Sequence, residues 1–403
     1  MQVRSITVFA HPEDLAAAAK AAAATRLALE GADFPVQTVR LATPPFPLLV
    51  SSEGEAIALA QRLDGEAEAF GLDYISLGPA LPARPSTYGW VPAMLGATSK
   101  VFCGGVIADD EGVHPAAVRA CGEVMAALAP LEPQGFANLR FAALASVGPG
   151  APFFPAAYAP PLLPRGQVLV ALALEAADEA VQAFAAAETA SQAREALIAR
   201  LEDLGRRLAA LAEGAAALHQ ARFLGLDFSL APFPDEATSL GRALEQLGVA
   251  ALGLHGALAA AAFLADALDR AAFPRTGFNG LMLPVLEDAI LAARAAEGVL
   301  HVKDLLAYSA VCGTGLDTVP LPGDTTADQL SAVLLDVAAL ARRLRKPLTA
   351  RLMPIPGKQA GDPITFDFPY FAPSRVMALQ AAPVGGALMA ETYDLRPRNT
   401  IEG

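Results

Sequence analysis

The sequence predicts an α/β protein, and three observations carry that reading. Short β-branched or apolar runs alternate along the chain with long alanine-rich stretches of helical periodicity. The 403 residues are 54% apolar but only 6% aromatic, so alanine and leucine supply material for one large core or two closely packed ones. Helix ends are marked by capping residues and prolines where the periodicity stops.

The strands follow in order as 3–9, 36–41, 74–77, 101–107, 139–147, 168–174, 223–230, 318–321 and 348–355. Three helices are read in detail. The segment 326–346 is preceded by Thr325, three residues before Asp328, and carries the apolar stripe Leu330, Val333, Leu334, Val337, Ala341 and Leu344. Arg342, Arg343, Arg345 and Lys346 sit at its negative dipole end, and Pro347 stops it. The segment 192–211 turns Leu197, Ile198, Leu201, Leu204, Leu208 and Leu211 inward, with Glu202 and Arg206 set for an i,i+4 pair outside. A third helix is expected from Pro284 to about Gly298, with Glu287 and Asp288 in its first turn.

Proline-rich stretches at 43–47, 79–92 and 149–164 read as loops of one body, because Phe153, Phe154, Tyr158, Leu162 and Leu163 recur in the longest, where a solvated linker would be polar. The expectation is one domain over 1–403, with a boundary near Gly166, and hence two similar halves meeting around 150–166, left open.

Charge narrows the function classes. Lys plus Arg number 29 against 42 Asp plus Glu, a net −13, which argues against nucleic acid because backbone binding needs clustered cations. Mean hydropathy is +0.40, yet the strongest apolar run, 256–265, is ended by Asp266 and Asp269, so no membrane partner is expected. Residues 1–14 read as strand and turn. The odd set Cys103, Cys121 and Cys312, without CxxC spacing, suggests neither disulfide framework nor zinc cluster, and the expected location is the cytoplasm.

Several familiar signatures are missing: GxSxG, the phosphate-binding P-loop and HExxH. His11, His114, His219, His255 and His301 never fall within four residues of one another, so zinc is not expected. The stretch 312–317, Cys-Gly-Thr-Gly-Leu-Asp, fails the dinucleotide fingerprint at Thr318, and the prolines and glycine after it exclude an immediate helix for a pyrophosphate. Cys312 is either a site thiol beside glycines that let a ligand approach, or a small buried hydrophobe at a turn.

Asp227 interrupts an apolar strand, which is costly without partners; it faces a ligand or cation, or caps neighbouring amides. Glu287 and Asp288 are explained by the helix dipole or by a pocket to which the turn 278–281 would present Asn279. Arg351 would bind a carboxylate or phosphate, or pair with a strand aspartate. Lys358 would bind an anion or lie exposed in a turn.

At these same segments the chain resembles domain-of-unknown-function family 711. The matching stretches are 3–7 (VRSIT), 138–158 (NLRFAALASVGPGAPFFPAAY), 225–232 (GLDFSLAP), 278–288 (FNGLMLPVLED), 312–325 (CGTGLDTVPLPGDT) and 351–362 (RLMPIPGKQAGD). The resemblance implies a closed α/β barrel of about ten strands with surrounding helices and a central loop, similar to pyruvate formate-lyase and anaerobic ribonucleotide reductase, and a homodimer. In those radical enzymes a cysteine on a loop inside the barrel receives a radical from a C-terminal glycine, and Cys312 is the local counterpart of that cysteine. Their Arg-Val-x-Gly motif is replaced here by Arg375-Val376-Met377-Ala378, with Gly385-Gly386 in an unmatched context, so glycyl-radical catalysis is not implied; the end of the chain, 394–403, also departs from the family.

The function expected is an enzyme on a small anionic metabolite, with Cys312 as nucleophile or redox thiol and Arg351 receiving the anion. Asp227, Asp317 and Asp324 would be acid/base groups or hold a divalent cation, with Asn279, Glu287, Asp288 and Lys358 at the same site. The alternative is a non-catalytic ligand-binding or assembly protein that keeps the barrel. A purely calcium or magnesium protein ranks lower, since the DxDxDG order is missing.

Overall fold

The computed structural model describes residues 1–312 and 314–397; Gly313 of the glycine-flanked turn and the end of the tail, 398–403, lie outside the described residues. The first half of the chain alternates strand and helix: β1 (Gln2–Phe9), α1 (Leu15–Glu30), β2 (Val39–Ala42), α2 (Glu53–Glu66), β3 (Tyr74–Ala80), α3 (Val91–Gly96), β4 (Val101–Asp109), a short hairpin return β5 (Gly112–Val113), α4 (Pro115–Leu128) and β6 (Phe141–Ala145). After the long loop come β7 (Leu169–Glu175), α5 (Ala177–Ala185), α6 (Ala190–Leu218), β8 (Arg222–Ala231), α7 (Leu240–Gln246), α8 (Ala257–Arg270), α9 (Ala289–Ala296), α10 (Val302–Cys312), β9 (Gly315–Pro322), α11 (Ala327–Leu344) and β10 (Leu348–Ile355). A small ribbon, β11 (Pro363–Ile364) with β12 (Ser374–Arg375), completes the fold.

Ten strands form one mixed sheet in the order β8-β7-β1-β2-β3-β4-β6-β10-β9, with β5 on β4. The five strands β1, β2, β3, β4 and β6 are mutually parallel, as the intervening helical crossovers require. On either side an antiparallel seam, β1/β7 and β6/β10, joins them to the parallel pairs β7/β8 and β9/β10. The closed barrel is not what the hydrogen-bond ladder forms, because β8 and β9 end as edges. The segment 274–286 lies along both: Leu226 N–H donates to Pro274 O and Met282 N–H to Ser229 O on the β8 side, and Val285 N–H to Asp317 O on the β9 side. It makes only isolated bridges, Leu226 with Arg275 and Pro284 with Asp317. Two prolines lack the N–H a ladder needs, and Gly277 and Asn279 adopt left-handed φ, so this stretch cannot run as a regular strand.

Strand alternation separates two environments. Val3, Ile6, Val8, Val39, Leu41, Ile75, Leu77 and Val101 face the helices in the main core, which includes Leu197, Leu201, Leu330, Val333 and Leu334. The other face is built from smaller side chains and rings: Ala42, Phe102, Ala171, Ala142 and Ala173. That economy of volume leaves room for the loop 147–163, which crosses this face tethered by Thr7 Oγ1 to Pro152 O (2.8 Å), Ser76 Oγ to Ala157 O (2.6 Å) and Ala159 N–H to Thr43 O (2.9 Å).

Four local expectations are corrected. The capping box of α11 is Thr326 with Gln329, and α6 starts two residues early, at Ala190, behind a box of Thr189 with Gln192. Arg206 pairs with Asp203, while Glu202 accepts the Ala272 N–H, so the i,i+4 pair does not form. The third helix begins at Ala289: Asp288 accepts the N–H groups of Ile290 and Leu291 as N-cap, while Pro284 bridges Asp317 of β9 and 285–287 form a turn closed by Glu287 N–H to Pro284 O. That late start frees Glu287 from the helix.

Candidate functional site

A cavity of about 70 Å³ lies on this second face of the sheet, its inner face, and its charged wall is assembled from strand residues together with Glu287, which follows the 274–286 segment. β1 supplies Arg4. Its pairing with β7 slips between Val3 and Ser5, a bulge that turns Arg4 to the same side as Ser5 and Thr7. β2 supplies Arg40, and Thr38 comes from the residue just before the strand, two positions away on the same side. β10 supplies Arg351. Opposite it the β9 register also slips, so that Asp317 and Thr318 together face one residue of β10; the bulge presents Asp317 to the cavity while Thr318 Oγ1 accepts the Leu286 N–H. Glu287 enters between the arginines, its neighbours pinned by that bond.

The ion pairs form a chain. Arg4 reaches Glu175 (3.0 Å) and Glu287, and Arg351 reaches Glu287 (2.9 Å) and, through Nε, Asp317 Oδ1 (2.5 Å). Burial pulls the Arg351 guanidinium down, but Asp317 and Glu287 outweigh it and its pKa is raised; Arg4 behaves likewise with Glu287 and Glu175. Burial lifts the Asp317 carboxyl above the ordinary range in spite of Arg351. Its second oxygen, Oδ2, takes no hydrogen bond from any described residue.

Arg40 is different. Only 8% exposed, it donates Nε–H to Thr38 Oγ1 (2.9 Å), and its guanidinium lies 5.7 Å from the Tyr74 ring and 5.1 Å from the Phe154 ring. Among the described residues it has no carboxylate partner, and neither Nη makes a hydrogen bond. Burial first, and repulsion from Arg4 second, push its pKa down to about 10. Phe102, Phe153, Leu139 and Met282 supply the apolar wall, while Phe368 and Tyr370 close one side from the 363–372 segment, Tyr370 under the Arg4 guanidinium at 5.8 Å. A chamber of about 20 Å³ continues past Phe153, Phe154 and Met282 and shares Asp317 and Arg351.

Of the residues singled out from sequence, Asp317, Glu287 and Arg351 converge here, and Arg351 is indeed the partner of a strand aspartate. Asp227 does not line the cavity. Buried at the β8 edge, it accepts Ser229 Oγ–H (2.5 Å) and the N–H groups of Phe278 (2.7 Å) and Asn279 (3.0 Å), clasping the bridging segment to the sheet, and burial pushes its pKa up to about 6. Asn279 returns the contact, Oδ1 accepting the Phe228 N–H and Nδ2 donating to Thr276 O. Asp288 joins the start of α9 to α7 through Ser239 and Gly241, Asp324 is exposed, and Lys358 is half-buried in a turn whose carbonyl accepts the Gly323 N–H. Cys312 ends α10 in the main core, outside both chambers, and burial raises its pKa. The loop that occupies the inner face is 147–163. Among the described residues, ligand-like spacing of acids and imidazole occurs at Asp109, Glu111 and His114, away from this cavity, where His114 Nε2 and Asp109 Oδ1 already meet at 2.7 Å. No helix among the described residues is long and apolar enough to cross a membrane.

Arg4, Arg40, Thr38, Gln37, Tyr74 and Tyr370 went unread in the sequence, although Arg4 and Arg40 are cations inside apolar strands, the pattern that singled out Arg351.

Fold and site together define an α/β protein with a ten-stranded mixed sheet and a small arginine-lined cavity on the sheet's inner face. The chain belongs to the family described as Uncharacterised ACR (DUF711), which it matches over residues 3–369. It is 32% identical over 347 residues to a UPF0210 protein of Pyrobaculum aerophilum, covering 81% of this chain and 75% of that protein. It is 31% identical over 356 residues to one of Acetivibrio thermocellus (82% and 77%), and 29% identical over 354 residues to one of Neisseria gonorrhoeae (82% and 76%). Among solved structures, an anaerobic ribonucleotide reductase superposes with a TM-score of 0.33 and 8% identity, covering 87% of this chain and 70% of that one, a likeness too slight to set the fold or the chemistry.

Proposed function

We propose that this protein is an enzyme acting on a small carboxylate-bearing metabolite held in the inner-face cavity, with 274–286 serving as the irregular stave that closes the sheet into a barrel around it. The observation that supports this reading is Arg40: a buried guanidinium lining the cavity, whose Nη groups have no partner among the described residues. Such a group costs free energy unless an anion completes it, and a planar fork of donors suits a carboxylate. Arg351 was the sequence candidate for this role, but its donors are taken by Asp317 and Glu287. Asp317 is the group suited to accept a proton, because it lines the same cavity with a lifted pKa and an Oδ2 that takes no hydrogen bond from the described residues. A non-catalytic binding protein would share the anion site, so turnover separates the two readings.

The test is a thermal-shift screen of the full chain against small carboxylates and phosphates, since a ligand of the folded state raises the melting temperature. The expected result is a carboxylate-dependent rise that Arg40→Gln removes. A rise that persists in Arg40→Gln, or one given only by phosphates, would overturn the assignment.

A further inference from the structure

We infer that the ligand of this cavity is a zwitterion, an α-amino acid or a close analogue, whose carboxylate is taken by Arg40 and whose ammonium is taken by Asp317 Oδ2; this rests on the carboxylate site proposed above.

The inference comes from how charge is divided across the cavity. Two guanidiniums, Arg4 and Arg351, stand against three carboxylates, Glu175, Glu287 and Asp317, joined in one chain of contacts. Counted with Glu175, which holds Arg4 from outside the cavity lining, that chain carries one negative charge more than it neutralises, and the carboxylate with an open oxygen is Asp317. Arg40, which lines the same cavity, holds one positive charge with no carboxylate partner among the described residues. The cavity thus separates a surplus cation from a surplus anion instead of pairing them. Hydrogen-bonding capacity tells the same story independently of charge. Among the charged groups that line the cavity, the open donors are the Nη groups of Arg40 and the open acceptor is Asp317 Oδ2, while both Glu287 oxygens and Asp317 Oδ1 are engaged. A ligand that satisfies both must accept at one end and donate at the other. A dianion would leave Asp317 facing negative charge in a desolvated space, and a simple amine would leave Arg40 bare. An amino acid satisfies both ends without changing the net charge of the site. The apolar part of the lining, Phe102, Phe153, Leu139 and Met282, suits a small apolar side chain.

The experiment is calorimetric titration of the full chain with matched triads: an amino acid, the same molecule lacking its ammonium, and the same molecule lacking its carboxylate. Alanine, leucine and phenylalanine head the triads, so that side-chain size is scanned at constant charge. The expected result is that in at least one triad the amino acid binds about ten- to a hundred-fold more tightly than either truncated partner, the range set by losing one charge-assisted hydrogen bond. Arg40→Gln should then weaken the amino acid toward the amine, and Asp317→Asn should weaken it toward the deaminated acid. If deaminated acids bind as well as or better than amino acids and depend on Arg40, the zwitterion is overturned and the carboxylate site stands. If amines alone bind, or if no member binds at millimolar concentration, the zwitterion is overturned together with the role given to Arg40. The triad comparison is made on the unaltered protein, so it decides between these outcomes even where a variant fails to fold.

Discussion

Replacing Arg40 with methionine should make the empty protein slightly more stable and the ligand response vanish. The cost being removed is legible in the structure. A guanidinium whose pKa falls from 12.5 to about 10 on folding carries a folded-state penalty of about 3 kcal/mol at neutral pH, because each tenfold displacement corresponds to about 1.4 kcal/mol. The sign is that of a base made harder to protonate: the penalty is fully present below about pH 10 and is relieved as pH rises from there toward 12.5. Against it stand contacts with two rings, about 0.5–1 kcal/mol each, and the Nε bond to Thr38, about 1 kcal/mol net. Methionine fills similar space, keeps favourable contact with Tyr74 and Phe154, and needs no partner. The balance is a gain of up to about 1 kcal/mol, or roughly 1 °C in Tm at most for 403 residues unfolding as one unit. Differential scanning calorimetry at pH 7 measures it, and saturating ligand should add roughly 3 °C to the wild-type protein at a hundredfold excess over Kd, and nothing to Arg40→Met. A fall of more than about 2 °C in Arg40→Met, beyond what the lost ring contacts account for, would show that Arg40 is satisfied by the protein itself. The anion-site argument would then lose its support.

Other consequences are as direct. Glu287→Gln strips one carboxylate from between two buried guanidiniums and should cost about 2–4 kcal/mol in urea unfolding; a cost under about 0.5 kcal/mol would refute the ion-pair chain as drawn. Burial raises the pKa of Cys103, Cys121 and Cys312, so a thiol reagent should label the native protein slowly and all three after denaturation, and Cys312→Ala should keep the ligand response. A single fast thiol that disappears in Cys312→Ala would restore the cysteine to the mechanism. Asp227 has its folded pKa raised from 3.8 to about 6, so the penalty for keeping it ionised is present above pH 6 and fades as pH falls toward 4. Wild type should therefore gain up to about 3 kcal/mol on Asp227→Asn between pH 7 and 4, measured by urea midpoints; an unchanged difference would refute the shift. Gly277→Ala combines a φ of +78° with a new Cβ 2.2 Å from Asp227 Oδ2, and should cost more than about 2 kcal/mol and expose 274–286 to limited proteolysis.

Each of the nine predicted strand segments falls on an observed strand, because strand faces packed against helices must be filled with large apolar side chains, and that requirement leaves a pattern in the sequence. What was not legible follows from the same cause. The hairpin return β5 is too short to show alternation, and 274–286 contributes bridges without a strand's composition, since its backbone is set by Pro274, Gly277, Asn279 and Pro284. The bulges at Arg4 and Asp317 are registers between strands distant in sequence, which no local pattern records. Of the residues expected at the site, those that converged, Asp317, Glu287 and Arg351, are charges in segments otherwise apolar or shaped by glycine and proline. The same reasoning reached Asp227 and Asp288, because burying a carboxylate demands a reason wherever it occurs, and their reason turned out to be the clasping of a segment or the start of a helix.

That difference suggests how structural and functional charge can be told apart in this molecule. Asp227 has both oxygens satisfied by N–H and O–H donors fixed by the backbone it organises, and Asp288 likewise serves Ser239, Gly241 and its own helix. Their burial is completed within the protein, and a ligand could not add to it. Arg4 and Arg351 are each shared between two carboxylates and so are held rigidly without being available. Only at Arg40 and Asp317 Oδ2, among the charged groups of this cavity, does burial leave capacity unspent, and a fold that keeps such capacity does so at a steady cost in stability. The charges that explain the fold are therefore the satisfied ones, and the charges that point to function are the pair left open across the same small space.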